Sequence, residues 1–210
     1  MRSAVNSPRS RTRWALGIGV LLVVACVAAV IGVRAVGGDG DPLSRAVGGL
    51  VPSARPAFPA VDTAALDPRR RAIIEAVHRE YDANAPATTF SEGVDEPWCA
   101  DFVSAVMRES GVPLRNPNSG SWRIPGVATL TDYLRDSGRW RGVQYRPQPG
   151  DIVVYDHPSP WGQHTNIVVA VDGDRVSTVG GNQPPDGITL HTADLGDDEG
   201  VQGFGVPAAG

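Results

Sequence analysis

The sequence predicts an α+β domain in which helices come first and an antiparallel sheet follows. Three observations predict it. Helical periodicity is confined to the segments around residues 68–83 and 97–110. From Asp151 onward, short β-branched runs alternate with turn residues. Gly and Pro number 25 and 18 in the 210-residue chain, which suits a turn-rich domain with short strands.

The chain begins with a basic arm, residues 1–13. Residues 14–33, Trp14 to Val33, then form an uncharged apolar run between Arg13 and Arg34. About twenty helical residues span the ~30 Å hydrocarbon core of a bilayer. Five Arg and no acid lie in residues 1–34, most of them ahead of the run, so the positive-inside rule places the remainder of the chain outside the cytoplasm. The expectation is a single-pass transmembrane anchor in the cell membrane. Its competitors are a cleaved signal peptide and a lipoprotein signal at Val23-Val24-Ala25-Cys26; all three export the domain. Residues 34–66 lack periodicity and are rich in Gly, Pro and Ala, as in a flexible linker.

About 140 residues, 67–210, are left for one domain with one core. Residues 35–210 hold 14 Arg and 23 acids. That balance argues against nucleic acid as a partner, because phosphate binding needs a basic face.

The first helix is expected over Pro68–Ala83. The second is expected over Pro97–Ser110, with Asp95, Glu96 and Pro97 at its start and Gly111 at its end. Cys99, Phe102, Val103, Val106 and Met107 form one apolar stripe along it. Cys26 falls inside the apolar run, which leaves Cys99 alone in the domain, without a partner for a disulfide. A thiol in a first helical turn meets free N–H groups and the positive end of the dipole, and both favour the nucleophilic thiolate. Asp95 and Glu96 oppose it.

Strands are expected at Asp151–Asp156, Gln163–Val171, Arg175–Val179, Ile188–Thr192 and Val201–Val206, with a hairpin turn at Asp172-Gly173. Of the four histidines, His78 lies on the first helix, His157 in a Pro-rich loop and His191 on a late strand. His164 opens a strand directly after a Trp-Gly loop and is the candidate base. Asn182 lies at the far end of the neighbouring strand, where it could fix the imidazole tautomer or serve only as a turn residue. No His/Cys/Asp cluster has metal-ligand spacing, so no metal and no cofactor are expected.

Trp98-Cys99-Ala100-Asp101-Phe102-Val103 resembles the WCAxFV signature of CHAP domains, the cysteine- and histidine-dependent amidohydrolase/peptidase family related to NlpC/P60 enzymes. The order continues with Pro147–Tyr155, with a His opening the next strand, and with Gly180-Gly181-Asn182-Gln183; Val201–Pro207 is similar to the closing strand. The resemblance covers about residues 67–207. It implies a papain-like fold and hydrolysis of a peptidoglycan amide bond, with Cys99 as nucleophile, His164 as base and Asn182 as third member. Two positions depart from the pattern: Gly162-Gln163 precedes His164, and Gly180 stands where some members carry an acid. The alternatives are a non-catalytic wall-binding or protein-binding module of the same fold, with Trp122, Trp140 and Trp161 as candidate glycan-facing aromatics, and a transpeptidase using the same dyad.

Overall fold

The computed structural model describes residues 55–208 except Asp186. The expected membrane span, residues 14–33, and the first part of the expected linker lie outside the described residues. Among those described, no helix is long and apolar enough to cross a membrane.

Asp67 starts the first long helix, α1 (Pro68–Ala83). Its carboxylate accepts from the N–H groups of Arg69 (3.0 Å) and Arg70 (3.1 Å), while Pro68 occupies the position where an N–H is not needed. Asn84 ends α1 in the left-handed conformation (φ 44°). Residues 55–66, expected as tether, are laid against α1. Phe58 stacks on His78 at 4.2 Å, and the Arg55 guanidinium lies 3.6 Å over the Tyr81 ring.

A single turn, α2 (Ala87–Phe90), precedes α3 (Cys99–Glu109). The sequence suggested one apolar stripe on α3, but every residue from Cys99 to Met107 is buried. Over those residues the helix is enclosed because α1, α2, the 112–125 segment and the sheet surround it; only its last turn, Arg108 and Glu109, is exposed. A helix enclosed over that length has little freedom to shift, which suits it to hold a reactive atom at one end. A further helix, α4 (Val127–Asp136), was not legible in the sequence: Val127, Thr129 and Thr131 are β-branched, and the N-cap, Gly126, offers no side chain.

Six strands form one antiparallel sheet: β1 (Trp140–Arg141), β2 (Ile152–Tyr155), β3 (His164–Asp172), β4 (Arg175–Gly180), β5 (Thr189–Asp194) and β6 (Val201–Gly205), in the order β1-β6-β2-β3-β4-β5. The α+β expectation holds. Side chains alternate between faces along each strand. Ile152, Val154, Ile167, Val169 and Val179 pack with the helices. Val153, Tyr155, Val168, Val176 and Phe204 form a second, smaller core on the other face, covered by loops that carry Tyr145 and Trp161.

Gly181 closes β4 against the helical layer. A Cβ there would lie 2.2 Å from the Trp98 ring, which stacks on Phe90 at 5.4 Å. Gly181→Ala is therefore expected to lower stability by about 1–3 kcal/mol, as overpacking does. A reduced midpoint in urea denaturation, followed by Trp fluorescence, checks it.

Candidate active site

Two elements meet at the site. The first is the amino end of α3, where Cys99 is the first helical residue and Trp98 the N-cap. The second is the start of β3, where His164 pairs with Tyr155 of β2. Cys99 lies on the helical face of the sheet, and its sulfur sits beside the backbone N–H of Thr165, the residue after His164. Thr165 faces the helices, whereas His164 and Asn166 point to the opposite face.

Burial dominates the electrostatics at both residues. Cys99 is 4% exposed, and burial pushes its thiol up to about 11. The N–H groups of Thr165, Ala100 and Cys99 favour the thiolate, and the nearby Asp101 opposes it. The helix terminus therefore does not produce the depressed thiol that its position suggested: the hydrogen-bond contributions are present, but removing the sulfur from water outweighs them. His164 is 2% exposed, and burial holds its imidazole down at about 4. The Asn166 side chain works in the other direction, and His191 adds to the depression. Both groups are neutral at pH 7, the thiol against the helical face of β3 and the imidazole at the start of that strand.

Trp161 covers the imidazole, with ring centroids 5.3 Å apart; Tyr155 lies at 6.3 Å. The Tyr155 hydroxyl donates to Asp198 (3.1 Å), whose other oxygen lies 3.3 Å from His191 Nε2. The edge of His191 in turn meets Trp161 at 4.7 Å.

Asn182 is exposed and left-handed (φ 60°), in the turn after β4. A polar side chain next to His164 is that of Asn166, two residues along the same strand, a position no sequence motif singles out. His157 is exposed in its loop, and His78 pairs with Asp82 at 3.5 Å on α1. Trp122 and Trp140 lie under Arg108 (3.8 Å) and Arg135 (4.9 Å), and only Trp161 belongs to the site. Among the described residues, no group of three His, Cys, Asp or Glu could hold a metal ion.

The amino end of α3 is anchored by charge. Arg123 Nε lies 2.8 Å from the fully buried Asp101, and the same guanidinium contacts Glu96. The Ser104 hydroxyl accepts from the N–H of Ile124 at 3.1 Å. A cleft of about 170 Å³ opens between α4 and the ends of β2 and β6, lined in part by Thr131, Asp132, Arg135, Gln163 and Gln202. It reaches Gln163, the residue before His164.

In this α+β domain an enclosed helix presents a thiol to the first residues of an antiparallel strand, and an imidazole stands at that strand's start. Residues 91–182 match the CHAP domain. No curated protein matches the chain. Among solved structures it is similar to Ly7917, at a TM-score of 0.46 and 18% identity over 66% of this chain and 62% of that one. It is also similar to Ly7917 with the hydrolyzing product of MDP, at a TM-score of 0.46 and 19% identity over the same shares.

Proposed function

We propose that this CHAP domain is a peptidoglycan hydrolase that cleaves an amide bond, with Cys99 as nucleophile and His164 as general base. The observation that carries the proposal is the Cys99 sulfur at the amino end of α3, beside the N–H of the residue that follows His164. As a substrate carbonyl arrives, the thiol proton passes to the imidazole while sulfur bonds to the carbonyl carbon. Free N–H groups of the first turn of α3, that of Cys99 included, receive the developing oxyanion. The C–N bond then breaks, and the imidazolium gives its proton to the leaving amine. Water activated by the same imidazole hydrolyses the thioester and restores the thiol. An amine in place of water would make the reaction a transpeptidation. The N-terminal run at residues 14–33 is proposed to anchor the domain on the outer side of the membrane, where the wall is.

The enclosure of both groups favours a second reading, a wall-binding module that keeps the fold without the chemistry. Digestion of purified peptidoglycan by the full chain separates the two. The hydrolase releases new muropeptide termini that mass spectrometry identifies; the module releases none.

The neutral resting pair sets the pH dependence. The free enzyme must hold His164 unprotonated and Cys99 as a thiol. The expected kcat/KM profile has an acid limb near pH 4 and an alkaline limb only near 11, with a broad plateau between them. A preformed thiolate–imidazolium pair would instead lose activity as the imidazolium deprotonates, well below pH 10. The same state predicts slow alkylation: a thiol near 11 is about 10⁻⁴ ionised at pH 7, against about 3% for an ordinary one. Iodoacetamide labelling of Cys99 across pH checks it.

A further inference from the structure

We infer that Asn166, carried on the same strand as His164, is the residue that orients its imidazole, a task that Asn182 is not placed to perform. The inference rests on His164 being the base and adds the group that positions it.

Asn166 and His164 are two apart on β3, so both side chains leave the same face of the sheet. Both are buried. Two of their polar atoms, Asn166 Oδ1 and His164 Nε2, are buried without a hydrogen-bond partner, and the Asn166 side chain favours the protonated imidazole. One accepts and the other donates when the proton is on Nε2, so each meets the other's need. The orientation of the amide follows from its other end. Asn166 Nδ2 donates to Thr178 Oγ1 at 3.0 Å. The Thr178 hydroxyl faces the Tyr155 phenol, and that phenol donates to Asp198 at 3.1 Å. Every donor in this row has one acceptor, and the row ends on a carboxylate. It leaves Oδ1 for the imidazole and Nδ1 as the nitrogen free to take the thiol proton.

The absence of a side chain at Gly180 fits the same account. A Cβ on Gly180 would lie 1.7 Å from Asn166 Oδ1. The space beside the imidazole holds one side chain, and β3 supplies it rather than β4. Asn182, exposed in the turn beyond, has no need to reach it.

The other groups around the imidazole are Trp161, Tyr155 from β2 and His191 from β5; Asp198, from the β5–β6 connection, lies against Tyr155 and His191. Because His191 also acts on His164, Asn166 is tested at a fixed pH and then across pH.

The experiment is ring-nitrogen NMR of His164 in the full chain, paired with kinetics on solubilised peptidoglycan. Wild type should show the Nε2–H tautomer. Asn166→Ala should lose that bias and lower the imidazole pKa further, with kcat reduced about tenfold or more and KM little changed, a part of the ~10²–10⁴ that a positioned acid–base group supplies. Gly180→Ala, which displaces the amide, should copy both effects. The pair Asn166→Gly with Gly180→Asn, which returns an amide from β4, should recover both in part. An unchanged tautomer in Asn166→Ala, or loss of kcat in Asn182→Ala with Asn166→Ala unaffected, overturns the inference. If no variant and no wild type turns over peptidoglycan, the proposed function fails, and the NMR result still decides the role of Asn166.

Discussion

Replacing Cys99 with Ala is expected to abolish release of muropeptides, by at least about 10³-fold, while the domain stays folded. The size follows from the proposed chemistry: without the sulfur no thioester can form, and binding and backbone N–H groups alone leave only residual rate. The fold should survive because the loss is one sulfur at the end of a helix that is buried through Met107. Unchanged far-ultraviolet circular dichroism together with lost activity is the expected pair of results. Full activity in Cys99→Ala would remove the thiol from the mechanism. Cys99→Ser should resemble Cys99→Ala, since a buried hydroxyl that depends on a weakly basic imidazole is a poor nucleophile.

The largest expected effect on stability is at Arg123. Its guanidinium is the cation next to Asp101, a fully buried carboxylate two residues from Cys99. Burial raises the Asp101 carboxyl to about 6; Arg123 opposes that rise, and Glu96 adds to it. The ion pair therefore moderates the cost of burial without cancelling it. Arg123→Met leaves the carboxylate without its counter-charge and should cost about 3–5 kcal/mol at pH 8. That is a large share of a typical 5–15 kcal/mol stability. The pH dependence has a definite sign. An acid raised in the folded state binds more protons there than in the unfolded chain between about pH 4 and its folded value. Its contribution to stability thus falls as pH rises through that window, by about 1.4 kcal/mol per unit. In Arg123→Met the folded value rises further, so the deficit should be greatest at pH 8 and smaller at pH 5. Urea denaturation at the two pH values measures it. Adding Asp101→Asn to Arg123→Met should recover much of the loss, since no buried charge then remains.

Much of the fold was legible because it follows from short-range chemistry. Asp67 and Pro68 start α1, and the Asp172-Gly173 turn joins β3 to β4 where the alternation placed it. Cys99 at a helix start and His164 at a strand start were both readable. What was not readable depends on contacts distant in sequence. Helix α4 forms despite β-branched residues because Leu130 and Leu134 are buried against the sheet. The neutral state of the thiol depends on how completely α3 is enclosed, and periodicity alone did not reveal that. The sequence points to the adjacent strand, where Asn182 stands, for a neighbour of the imidazole, and not to the imidazole's own strand. The burial of Asn166, the exposure of Asn182 and the fit of the Asn166 amide against a bare Gly180 distinguish the two.

The central claim is that the Cys99 sulfur takes up the acyl group of the substrate. Rapid acid quench of the full chain during turnover of lysozyme-solubilised muropeptides, followed by peptide mass spectrometry, tests it directly. The account predicts a thioester on the peptide containing Cys99. A muramoyl adduct would mark cleavage next to the sugar, and a peptidyl adduct would mark cleavage within the stem. Continued turnover with Cys99 unmodified at every quench time, and the same rate in Cys99→Ala, would contradict it.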